Sequence, residues 1–153
     1  MLKKLMQTDE DVGMLIVRLT LGLVMFPHGA QKLLGWFGGN GFAGTLQFFT
    51  SQMGLPAVVA FLVILVESFG AISLITGFLG RLSAFGVLCV MLGAIFMVHL
   101  PNGFFMNWYG NQKGEGYEYH LLAIGMALAI LIKGSGSLSI DRSMSDKERR
   151  TYR

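Results

Sequence analysis

Four apolar stretches dominate this chain, at about residues 12–34, 56–79, 82–100 and 117–132. Runs of that length fold where lipid, not water, is the solvent. With a rise of about 1.5 Å per residue, a helix needs about 20 residues to cross roughly 30 Å of hydrocarbon. The first three stretches reach that length. The fourth is short and is expected to begin within the outer headgroup layer, around Tyr117. Lys3 and Lys4 precede the first stretch as they would a signal peptide. However, no small-x-small cleavage pattern follows, and three more spans do. It is read as a retained helix. The predicted fold class is all-α, an integral membrane four-helix bundle.

Composition narrows the function classes. Hydrophobic residues make up 53% of the chain and charged residues 14%, against about 25% charged in an average soluble domain. A disordered chain and an ordinary soluble enzyme are excluded. One Cys makes no internal disulfide, zinc knuckle or iron–sulfur site. Gly38, Gly39, Gly41 and Gly44 do not form a phosphate loop, because no buried strand precedes them and no GK[ST] follows.

The formal charge of +3 is spread unevenly. With four spans, one side holds Lys3, Lys4, Arg81, Lys133, Arg142, Lys147, Arg149, Arg150 and Arg153, while the opposite loops hold only Lys32 and Lys113. Arg18 lies inside the first span and completes the 12. The positive-inside bias predicts that both termini are cytoplasmic. Residues 1–11 are then a cytoplasmic N-terminus, 12–141 the membrane domain, and 142–153 a basic cytoplasmic tail facing lipid rather than nucleic acid. Trp36, Trp108, Tyr109, Tyr117 and Tyr119 fall on the outer side as an aromatic belt. Phe42, Leu46, Phe49 and Met53 recur on one helix face, which predicts a short interfacial helix between spans one and two. The loop 101–116 is long enough to cover the bundle as a lid.

Ionisable groups inside hydrocarbon need a partner or a purpose. Measured along their helices, Arg18 sits about 8 Å and Glu67 about 14 Å above the cytoplasmic edge. The expectation is an Arg18–Glu67 ion pair that fixes helix register, or a Glu67 that carries a proton or anchors a polar headgroup. His28, His99 and His120 all fall near outer helix ends. They are read either as interfacial residues on loose carbonyls or as part of a pocket that opens outward. Three His and a carboxylate are a donor set for iron, copper or zinc. No two His show i, i+3 or i, i+4 spacing, so no metal site is assigned. Gly22, Gly29, Gly70, Gly77, Gly86, Gly93 and Gly125 are read as helix-packing positions, the ten Met as core filler, and Cys89 as inert.

Two runs of these residues resemble the signatures of the DoxX family. Arg18-Leu19-Thr20-Leu21-Gly22 with His28-Gly29-Ala30-Gln31-Lys32-Leu33 is similar to the first. Glu67-Ser68-Phe69-Gly70 with Leu74, Gly77 and Arg81 is similar to the second. The resemblance covers about residues 12–141. It implies a four-helix protein of a bacterial or archaeal cytoplasmic membrane, with relatives associated with quinones. One branch resembles the membrane subunits of thiosulfate:quinone oxidoreductase, another is linked to quinone and catechol resistance, and a mycobacterial relative to an oxidative-stress complex. The substrate-oxidising half of such systems commonly sits on a partner chain, and this sequence carries no flavin, haem c or iron–sulfur motif of its own.

The leading expectation is a quinone-interacting subunit. Phe26, Phe69 and Phe96 would shape a slot for a ubiquinone- or menaquinone-type ring. His28, His99, His120 or Lys32 would bind the ligand, and Glu67, tuned by Arg18, would carry the proton. The alternatives are a non-catalytic membrane anchor or assembly partner of a soluble redox subunit, and a small transporter that would require a homo-oligomer.

Overall fold

The computed structural model describes the backbone of residues 5–151 and the side chains of residues 5–145. Lys3, Lys4 and the side chains of Lys147, Arg149, Arg150 and Arg153 lie outside the described residues. Helix α1 spans Val12–Leu34; the Asp11 carboxylate accepts from Met14 N at 3.0 Å at its start, and Gly35, at φ 75°, stops it. A short helix α2, Gly41–Gln47, runs on into a π-turn, Phe48–Gln52. Helix α3 spans Ala57–Thr76 with a π-turn at Val66–Gly70, and α4 spans Gly80–Asn102 with another at Ile95–His99. Helix α5 is Glu118–Lys133 and α6 is Ile140–Thr151. Among the described residues there is no strand.

Helices α1, α3 and α4 are long and apolar enough to cross a membrane. The 16-residue α5 lies where the fourth apolar stretch does, but is too short to count by length alone. It packs along α4 and α1. Leu21, Leu74, Val87, Ala127 and Ile130 form the fully buried seam between them. Two glycines let α1 and α3 touch backbone to backbone. A Cβ at Gly22 would lie 3.0 Å from Ile75 N, and one at Gly29 would lie 2.6 Å from Ser68 Cα. The same approach lets Ser68 Oγ donate to the Gly29 carbonyl at 3.1 Å.

Helix α2 is present between spans one and two, with Phe42 on its apolar face 39% exposed. It packs on α1 and α3, Thr45 is buried, and Phe42 meets Phe61 edge-on at 6.3 Å.

The expected Arg18–Glu67 pair does not form. The depth estimate started both helices at one edge, whereas α1 begins about two turns beyond the end of α3. Arg18 is therefore level with the last turn of α3, well below Glu67. Its Nη1 donates to the carbonyls of Leu74 and Ile75, each at 2.6 Å, and Nε donates to Ser135 O at 2.9 Å. Nη2 reaches Ser137 O at 3.3 Å and Leu138 O at 3.2 Å. A fully buried guanidinium thus closes the carbonyl end of one helix and holds the 134–139 linker against it.

The surrounding contacts form a clasp at this basal end. Asp141 accepts from Leu79 N at 2.8 Å, Gly80 N at 3.0 Å and Ser135 Oγ at 2.6 Å. Gly136 N donates to Thr8 Oγ1 at 2.8 Å, and Ser137 N to Asp11 O at 3.1 Å. Arg142 pairs with Glu10 at 2.8 Å. The N-terminal segment, the α3–α4 turn and the start of α6 therefore share one end of the molecule.

Candidate functional site

At the opposite end α3 and α4 part and leave a cavity of about 730 Å³. Helices α1 and α5 form its back wall, α3 and α4 its sides. Helix α2 and the loop 101–116 form its roof, through Phe48, Phe49 and Met53 on one side and Met106 and Glu115 on the other.

The back wall carries the charge. Met25, His28 and Lys32 recur at i, i+3 and i+7 on α1, one face of the helix, and all three line the cavity. Lys32 Nζ donates to Glu67 Oε2 at 2.5 Å, with side chains 22% and 7% exposed. Glu67 sits in the π-turn of α3, directly across from Gly29. The missing Cβ there brings the carboxylate within reach of a lysine one turn further along α1. Around this pair lies a run of rings. His28 is 6.2 Å from Tyr119, Tyr119 is 5.3 Å from His120, and His120 is 4.1 Å from His99, centroid to centroid. His99 Nδ1 meets the Glu115 carbonyl at 2.8 Å, which ties the loop to the π-turn Ile95–His99. His120 is buried, and its Nδ1 has no hydrogen-bond partner. A satisfied core histidine would have one.

Of the residues singled out in the sequence, His28, Lys32, Glu67, His99 and His120 therefore meet in one cavity, and Arg18 stands apart at the basal end. The expected aromatic slot is built from other residues. Phe69 and Phe96 face outward, 57% and 69% exposed, and Phe26 packs on the core. Phe48, Phe49 and Phe85 line the cavity instead. Cys89, expected to be an inert mid-span residue, is on its wall. Tyr119 and Glu115 were not singled out as site residues. The i+3, i+7 spacing of Met25, His28 and Lys32 was the available signal for Lys32 facing inward; nothing local marks Glu115. Among the described residues no three of His, Cys, Asp and Glu are grouped to hold a metal ion.

The arrangement offers an apolar volume with donors, acceptors and a charged pair confined to one wall. Pockets of this kind, at roughly 300–1,000 Å³, take small molecules. The DoxX family model matches residues 13–100, the segment that supplies His28, Lys32, Glu67 and His99. The chain belongs to the DoxX family. Two relatives extend the match over nearly the whole length. One is named "Putative oxidoreductase CatD", from Bacillus subtilis (strain 168), 30% identical over 89% of this chain and 90% of the relative. The other is "Inner membrane protein YqjF" from Escherichia coli (strain K12), 31% identical over 93% of this chain and 99% of the relative. No solved structure matches the chain. With three helices of spanning length and this kinship, the protein is a DoxX-family membrane protein.

Proposed function

We propose that this DoxX protein is the quinone-interacting subunit of a membrane redox system. The observation that carries the reading is the buried, unpartnered Nδ1 of His120 on the wall of an otherwise apolar cavity, beside the Lys32–Glu67 pair. A quinone, when bound, supplies a ring that accepts two electrons and two protons. The residues fit such a group. Phe85, Val90 and Met91 line the cavity as apolar surface, and His120 and His28 bring ring nitrogens to the same cavity. Glu67 is the proton carrier, and Lys32 holds its carboxylate in place while offering the nearest positive charge to a carbonyl gaining electron density. The electrons come from a partner chain, because this sequence carries no redox centre of its own.

The same reading sets the topology. Four spans, with the basal clasp on the cytoplasmic side, account for the excess of Lys and Arg there and for the aromatic residues at the cavity end. The membrane is then the cytoplasmic membrane, with both termini inside.

Mass spectrometry of the organic extract from protein purified in mild detergent tests the reading. The expected result is a near-stoichiometric isoprenoid quinone that falls at least tenfold in Glu67→Gln or His120→Ala, with the helical circular dichroism unchanged. Extracted lipid no different from that of an unrelated membrane protein overturns it, and copurification of one soluble partner would then favour the anchor role.

A further inference from the structure

The cavity is not closed toward the bilayer, and its opening has a definite shape. Helix α4 packs on α3 chiefly from Val66 onward, toward the base. There Ser83 Oγ donates to Ser73 Oγ at 2.8 Å. At Gly86, a Cβ would lie 2.9 Å from Val66 Cγ2, so the absence of a side chain eases this approach. Beyond this pivot the outer half of α3, Ala57–Leu65, stands away from α4. The two helices form a V whose apex is level with Glu67.

The arms of the V are lined by residues that touch the cavity and the outside at once. Val59 and Leu62 on α3 are 42% and 49% exposed, and Met97 on α4 is 51% exposed. On α4, Cys89, Gly93 and Met97 line the cavity in turn. Gly93 leaves a hole among them: a Cβ there would meet nothing within 4 Å. Counted from Gly80, Cys89 is about 14 Å and Gly93 about 20 Å along a helix of 1.5 Å rise. The hole therefore faces hydrocarbon, not headgroups.

We infer that the V between α3 and α4 is a lateral portal through which the isoprenoid tail of a lipid-soluble quinone lies, with its ring against the Lys32–Glu67 wall. This rests on the quinone reading above and adds the route and the tail. Three observations favour a tail over another helix or a phospholipid. The groove is continuous with the polar wall, so one molecule with a polar ring and an apolar chain fills both. Its arm on α4 carries an open space at Gly93, where no side chain stands in the way of a chain lying along the helix. Its inner end is a closely held ion pair rather than a cluster of free cations that would seat a phosphate. A cavity of about 730 Å³ holds a ring and a short chain; a tail long enough to cross half of the roughly 30 Å hydrocarbon layer must leave it sideways.

The experiment compares binding of a long-tailed and a tail-less quinone to the full protein in detergent. The variants are Gly93→Phe, which fills the portal, and Gly125→Phe, which adds the same bulk at an open site on α5 away from the cavity. The expected result is that Gly93→Phe weakens the long-tailed quinone at least tenfold and the tail-less one less than threefold, while Gly125→Phe changes neither. Equal loss of both quinones in Gly93→Phe, or no loss of either, overturns the portal while leaving the quinone site standing. Phospholipid recovered from the groove in place of quinone, or dimers that Gly93→Phe converts to monomers without touching binding, overturns it too. Wild-type protein that binds neither quinone overturns the parent reading.

Discussion

At the scale of single residues, the buried Arg18 and the partly buried Lys32 do opposite jobs. Arg18 is surrounded by carbonyls of α3 and the 134–139 linker. Removing it orphans several buried acceptors at once, at about 1–3 kcal/mol each. Arg18→Ala is expected to lower stability by more than about 3 kcal/mol. Arg18→Lys recovers little of that, because one ammonium cannot span carbonyls that a planar fork reaches. Unfolding in mixed micelles checks both. Lys32 behaves differently because its partner is a charge. Lys32→Met leaves the Glu67 carboxylate uncompensated, and breaking a buried pair costs about 3–5 kcal/mol. The double variant Lys32→Met with Glu67→Gln should be more stable than Lys32→Met alone. A double variant that is less stable would mean the pair is not what holds Lys32 in place. The sequence made both charges conspicuous, since each interrupts an apolar run, but not their partners. Depth along a helix depends on where neighbouring helices begin, and the two-turn stagger of α1 against α3 is a tertiary fact.

At the scale of elements, the helices follow the apolar stretches closely, because in lipid a backbone must satisfy its own hydrogen bonds. What periodicity does not reveal is the π-turns at Phe48–Gln52, Val66–Gly70 and Ile95–His99. All three lie beside the cavity, and two of them carry Glu67 and His99. An extra residue in a turn rotates everything beyond it, so a face drawn at 100° per residue drifts away from the true one. Phe69 and Phe96, taken for slot residues, lie within two of these turns and point outward. The glycines, by contrast, were legible as a class and unequal in fact. Gly29→Ala places a methyl against the α3 backbone and should cost at least about 1–3 kcal/mol. It should also weaken ligand retention, because it pushes Glu67 away from Lys32. Gly125→Ala, with nothing within 4 Å, should be neutral or slightly stabilising. Thermal denaturation of the two variants side by side separates these cases. Equal effects would mean that α1 and α3 are not locked at Gly29.

At the scale of the whole molecule, the basal clasp constrains topology more tightly than hydropathy does. Thr8 and Asp11 bond to the 134–139 linker, and Asp141 to the α3–α4 turn. On the four-span topology proposed above, α5 travels the full height despite its 16 residues. At 1.5 Å rise that is about 24 Å, several ångströms short of the hydrocarbon layer. The deficit falls where it is cheapest. On that topology Tyr117 lies at headgroup level at one end, and Lys133 at the other can extend its amine toward water. The expectation is that a membrane-impermeant maleimide, applied to intact cells in a Cys89→Ala background, labels Tyr109→Cys in the loop and leaves Ile140→Cys at the base untouched until the membrane is opened. Tyr109 is 91% exposed and Ile140 42% exposed, so burial does not decide the contrast. Labelling at both sites from outside would mean that α5 lies along the surface. In that case the clasp could not hold as described, and the polar wall that His120 contributes would lose its place beside Glu67.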